Sequence, residues 1–235
     1  VRKSFTVSLI AVFAALHSIL YFLSFGLWRN WAIYLEPIEG IILGPWVGFA
    51  TAFIGSSVAR FIKPDSFWMF GIIAEPLGVL VSAFLSRGRW QESIIIYAIM
   101  LTAYFVHPFG RMLPLWTVLD IILAFILIIP VAKLGKHILK NDVKRLSMAI
   151  VLVSFVGIAT DSLVRVFLLV PSGLYVIFNW SYDILYEVFV LGAVNSYIED
   201  LLVVVVSFLV SVPLMLRLHK TPILHLLLKR EREKP

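Results

Sequence analysis

Apolar stretches of bilayer-spanning length recur along this chain, and they constrain its fold more than any other feature. A transmembrane helix needs about 20 apolar residues. Candidate spans read as residues 4–25, 33–44, 45–62, 67–85, 93–106, 115–132, 148–170 and 201–218. Hydrophobic residues make up 61% of the chain and charged residues 14%, against roughly half and a quarter in a soluble domain. Mean hydropathy is +0.98. The expected fold is all-α: a polytopic transmembrane helix bundle of six to eight spans. No polar stretch is long enough to build a soluble domain, so residues 1–235 read as one integral membrane domain.

Two candidate spans are short. Residues 33–44 would cover about 18 Å as a helix, less than the ~30 Å hydrocarbon core. They read as a half-helix that meets its partner at Gly44-Pro45. Small residues recur at four-residue spacing across that junction: Gly40, Gly44, Gly48, Ala52 and Ser56. That spacing puts them on one helix face, where small side chains let backbones approach closely in lipid.

Charge sets the expected orientation. Splitting the second apolar block at Gly44-Pro45 places 15 of the 20 Lys and Arg residues on one side, including Arg87, Arg89, the 133–145 cluster and the tail. By the positive-inside rule that side is the cytoplasm, with both termini there. Arg2 and Lys3 precede residues 4–25, which read as a retained first span rather than a signal peptide. Residues 171–200 hold no Lys or Arg and read as an outer loop. The outer face then carries Glu36, Glu39, Asp65, Asp183, Glu187, Glu199 and Asp200. The chain divides into residues 1–90, a helix pair with a basic loop over 91–146, the last spans over 147–220, and a basic cytoplasmic tail over 221–235. The net charge of +6 follows membrane topology, so nucleic acid is not an expected partner; lipid is.

The chemistry-bearing motifs are few. No P-loop, HExxH or GxSxG sequence is present. The five histidines show no helical pairing, so no metal site is expected. Cysteine is absent, which excludes disulfides and thiol nucleophiles. No cofactor and no catalytic constellation are expected, so the chain does not read as an enzyme. Acids inside spans carry the remaining signal, because ionisable groups in a bilayer are costly. Asp161 and Arg165 stand four apart and read as a structural ion pair. Glu75 has no evident local partner, and Pro76 disfavours helical geometry there. Asp120 follows Trp116 by four residues. The expected substrate site lies in the outer half, under residues 171–200. Its walls are Trp116, Asp120, Trp180 and Tyr182, with Glu36, Glu39 and Glu75. A small aromatic or cationic solute fits that description.

The first span contains Ala11 and Ala15 in an AxxxA pattern, followed by a polar loop and then Gly40-Ile-Ile-Leu-Gly-Pro-Trp-Val-Gly48. With the basic Ser86-Arg-Gly-Arg89 turn, this combination resembles the substrate-binding S components of energy-coupling factor (ECF) vitamin transporters, over about the first 90 residues. The resemblance implies that Ala11 and Ala15 dock on a membrane-embedded T coupling subunit. Two ATPase subunits would drive import of a vitamin-like solute captured outside. S components typically have six spans and eight are counted here, so no ligand residues carry over. Two other readings remain open: a membrane-embedded enzyme acting on lipid or prenyl substrates, and a structural or assembly protein.

Overall fold

The computed structural model describes residues 3–24, 29–138 and 143–221. Arg2, Asn141, Lys140 and most of the 221–235 tail lie outside the described residues. Among the described residues the chain is helical with no strand. The elements are α1 (Lys3–Tyr21), a 3-10 turn (Trp31–Tyr34), α2 (Glu36–Leu43), α3 (Pro45–Ile62), α4 (Trp68–Leu85), α5 (Trp90–Val106) and the short α6 (Pro108–Met112). A second 3-10 turn (Leu115–Val118) leads into α7 (Leu119–Gly135). Then follow α8 (Val143–Leu169), the single turn α9 (Leu174–Ile177), and α10 (Tyr182–Val206), which passes through a π-helical segment (Ser207–Ser211) into α11 (Val212–Leu218).

Among the described residues, five helical stretches are long and apolar enough to cross a membrane: Ser4–Tyr21, Trp68–Leu85, Leu115–Gly135, Arg145–Leu169 and Tyr182–Leu218. Of these, Trp68–Leu85 and Arg145–Leu169 are mostly buried by the rest of the bundle, whereas Ser4–Tyr21 is largely exposed. Helices α4 and α8 therefore form the centre and the others pack around them. The exposed rim is apolar, with Val7, Val12, Phe61, Ile99 and Leu209 among its side chains, as lipid contact requires.

The break at Gly44 is present. Gly44 has φ 83°, a conformation open to glycine at little cost. It separates α2 from α3, which starts on Pro45, where the missing N–H costs nothing. The small-residue stripe is therefore shared between two helices rather than lying on one. Both halves face α4. A Cβ on Gly40 would strike the Val79 carbonyl, and one on Gly48 would come 2.9 Å from a Val79 methyl.

Two expectations are corrected. Pro76 does not interrupt α4, which runs through it from Trp68 to Leu85; tight packing on α2, α3 and α8 holds the helix together. Residues 171–200 are not one long outer loop. The chain turns over residues 171–181, and α10 then begins at Tyr182, capped by Ser181, whose side chain accepts from the Ile184 N–H at 3.4 Å. Its buried positions Leu185, Phe189 and Ala193 follow a four-residue repeat. Glu199 and Asp200 consequently lie inside the bundle, not on an outer face.

Contacts order the two ends. At one end, Arg87 donates to the carbonyls of Gly40 (3.3 Å) and Ile41 (3.4 Å). There Gly135 meets Leu85, and Arg145 approaches His137 at 3.3 Å. Lys133 and Lys136 belong to this basic end. At the other end the Tyr21 hydroxyl donates to the Lys63 carbonyl (3.1 Å) and to Asp65 (2.7 Å). Phe67 packs on Phe178 with ring centroids 5.4 Å apart. The Tyr182 hydroxyl donates to the Met112 carbonyl at 2.9 Å.

Candidate functional site

The interior holds an ion network of which local sequence pattern announces only the Asp161–Arg165 pair. Glu75, on α4, is fully buried. Its carboxylate accepts from the Ser56 hydroxyl and from both terminal nitrogens of Arg60, both on α3. His17 of α1 bridges the acids, with Nε2 3.0 Å from Glu75 and Nδ1 3.1 Å from Glu39 on α2. The expectation of a partnerless Glu75 is thus corrected: its partners come from other helices. Breaking such a buried pair costs about 3–5 kcal/mol, because the abandoned charge has no water to turn to.

A second group surrounds Arg29. Its Nε lies 2.9 Å from Glu199 on α10, and its backbone N–H donates to the same carboxylate at 2.8 Å. Nη2 donates to Ser162 (2.8 Å) and Ser196 (3.0 Å). Nη1 approaches Asp161 at 3.4 Å. The pair expected between Asp161 and Arg165 is present, with contacts of 2.7 and 3.1 Å. Arg165 also reaches Glu75 at 3.8 Å. It therefore joins the two groups into one connected set from α1 to α10.

Above this set is a cavity of about 450 Å³ in the half of the bundle away from the basic end, within the usual range for small-molecule sites. Its polar side is formed by Arg29, Arg165, Asp120, Glu199, Ser162 and Ser196. Its aromatic side is formed by Phe67, Phe70, Trp180 and Phe189. Phe178 sits behind that wall, 5.2 Å from Trp180 between ring centroids. Asp120 accepts from Ser196 at 3.1 Å through one oxygen, and the Asp200 carboxyl lies beside it. The cavity thus presents both a carboxylate acceptor and two guanidinium groups beside flat aromatic faces.

Of the expected substrate residues, Asp120 and Trp180 line this cavity. Glu36, Glu39 and Glu75 are buried beneath it, within the bundle, and are not part of its wall. Trp116 is 40% exposed and touches the bundle through its backbone carbonyl, which accepts from the Tyr197 hydroxyl; it does not form a pair with buried Asp120. Tyr182 ties α10 to the last residue of α6 and is also absent from the lining. An acid-only cage for a cation is therefore not what the wall offers. Ala11 and Ala15 are exposed on α1, and Ala15 borders a shallow apolar groove with Ile54, Val58 and Ile62 of α3.

Sequence reasoning missed Arg29, Arg60, His17, Glu199 and the two serines. One signal was available: five acids inside the apolar blocks, Glu36, Glu39, Glu75, Asp120 and Asp161, demand buried partners, and Arg29, Arg60 and His17 stood inside or beside those blocks.

No family model matches the chain, and no solved structure matches it. Over 131 residues, 55% of the chain, it is 26% identical to an uncharacterized protein of Methanocaldococcus jannaschii. The match covers 44% of that protein, so the chain spans less than half the length of this relative.

Proposed function

We propose that this chain captures a small solute within the membrane, as the substrate-binding subunit of an ATP-driven importer of the ECF type. The observation that carries the capture reading is the cavity of about 450 Å³, with charged and aromatic walls, in the half of the bundle remote from the basic end. The basic end is read as cytoplasmic. The first 3-10 turn and α2 then act as a short descending pass, giving eight passes with both termini cytoplasmic. The cavity opens toward the outside. Its wall suits a flat, ring-bearing solute that carries both donors and acceptors, with a negatively charged group for Arg165. Stacking on Trp180 or Phe67 and pairing with a guanidinium would each add specificity. The coupling subunit would dock on the exposed Ala11–Ala15 face of α1, where small side chains allow close approach. Affinity purification from native membranes in mild detergent tests this reading. It should bring down an integral membrane partner with ATPase subunits. Purification of the chain alone, with solute turnover in that preparation, would favour the enzyme instead.

A further inference from the structure

Among the described residues, seven carboxyls are buried in the bundle: Glu39 and Glu75 near His17, Asp161 and Glu199 near Arg29, Asp120 beside Asp200, and Glu36. The positive groups that reach them are Arg29, Arg60, Arg165 and, when protonated, His17. Even with His17 charged, carboxylates would outnumber cations by three. An isolated buried charge neutralises by taking a proton rather than remaining unpaired.

Glu36 and Asp200 are the carboxyls with no hydrogen-bonding donor at either oxygen among the described residues; Asp200 has the Asp120 carboxyl beside it to share a proton with, so Glu36 is the one that stands alone. It is 1% exposed, and neither of its oxygens has a hydrogen-bond partner among the described residues. Glycine makes its space: a Cβ on Gly78 would come 2.8 Å from Glu36 Oε2 and 3.7 Å from the Asp161 Cβ. Charged groups face it from the elements around it. Glu75 comes from α4, Asp161 and Arg165 from α8, and Arg29 from the segment before the first 3-10 turn. Glu39 shares its helix but is taken up by His17 of α1, and Arg60 of α3 is taken up by Glu75. The π-helical segment Ser207–Ser211 brings no titratable group. Two acids and two committed guanidiniums thus surround a carboxyl that no donor reaches.

We propose that Glu36 is a proton-binding site inside the bundle and that Arg165 links its proton to the state of the cavity. Arg165 touches Asp161 and Glu75 on one side and lines the cavity on the other. A solute anion that draws Arg165 toward itself leaves Asp161 and Glu75 less neutralised, and Glu36 then holds its proton more tightly. By linkage, the protonated state favours the occupied cavity to the same degree. The link, though not the proton site, rests on the cavity taking a solute.

Infrared spectroscopy of the purified full chain in detergent, without added solute, tests both parts. A protonated carboxyl gives a carbonyl stretch above the amide band that shifts in heavy water. We expect this band at neutral pH, weakened in Glu36→Gln, with unfolding temperature retained because Gln mimics the protonated acid. No band, or a band unchanged in Glu36→Gln, would overturn the proton site. For the link, Arg165→Gln and Asp161→Asn should move the band's titration midpoint in opposite directions, up and down respectively, as nearby charges act on a carboxyl. Should Arg165→Gln fail to fold, the sign of the Asp161→Asn shift decides. An unmoved or raised midpoint in Asp161→Asn would overturn the link.

Discussion

His17 and Glu75 lie 58 residues apart in sequence and meet at 3.0 Å in the bundle interior. The same imidazole holds Glu39 through its other nitrogen at 3.1 Å. One side chain of α1 thereby fastens α2 and α4. The interior of this bundle is organised by ion pairs between helices as much as by packing, which suits a lipid setting where apolar contact alone gives little preference between partners.

Glu75 should therefore behave as a stability residue. Glu75→Ala leaves Arg60 buried without its counter-charge and His17 with Glu39 alone, and we expect a loss of about 3–5 kcal/mol, read as a lower unfolding temperature in detergent. Solute affinity of the remaining folded protein should change much less. Unchanged stability with abolished binding would return Glu75 to the solute site.

The close approach of α2 and α4 gives a second expectation. Gly40→Leu forces a side chain into the Val79 carbonyl and Ala83 N–H, which the backbones must separate to accept. Overpacking of this kind costs about 1–3 kcal/mol. Thermal unfolding of the variant, compared with an exposed control such as Ile99→Leu, reads the difference.

Orientation can be read by labelling, since the chain has no cysteine. Ser172 and Lys136 are exposed at opposite ends of the bundle. An impermeant thiol reagent on intact cells should label Ser172→Cys and spare Lys136→Cys. The reverse pattern would invert the proposed topology and turn the cavity toward the cytoplasm.

Docking is separable from capture. Ala11 and Ala15 lie on α1, outside the cavity lining. Replacing both with Leu should block recovery of the partner subunits while leaving solute retention intact, because larger side chains hold the helices apart. Loss of retention as well would assign these alanines to internal packing.

Much of the framework was legible from local chemistry. The Gly44-Pro45 break needs a glycine conformation and a proline at a helix start, and both are written in adjacent residues. The Asp161–Arg165 pair follows from four-residue spacing. The α3 limits, Pro45–Ile62, coincide with an apolar block. What escaped notice is non-local or mixed in character. Arg29 reaches Glu199 across 170 residues, and nothing in either neighbourhood announces the other. The first part of α10, residues 182–200, reads as a loop in the sequence because Asp183, Glu187, Asn195, Glu199 and Asp200 dilute its hydropathy. Its buried stripe at Leu185, Phe189 and Ala193 was present in the sequence but carried polar residues on the adjacent faces. Acids expected at a surface proved to be interior for the same reason: their partners are assembled only by the fold.

The central claim is that the cavity beside Arg29, Arg165 and Trp180 holds a solute. Native mass spectrometry of gently purified protein tests it most directly, with Val188→Trp as the comparison, since Val188 lines the cavity and is half-buried. We expect wild-type protein to carry a bound small-molecule adduct and Val188→Trp to lack it while unfolding at the wild-type temperature. An adduct that persists at full occupancy in Val188→Trp, or none in the wild-type protein, would contradict the account.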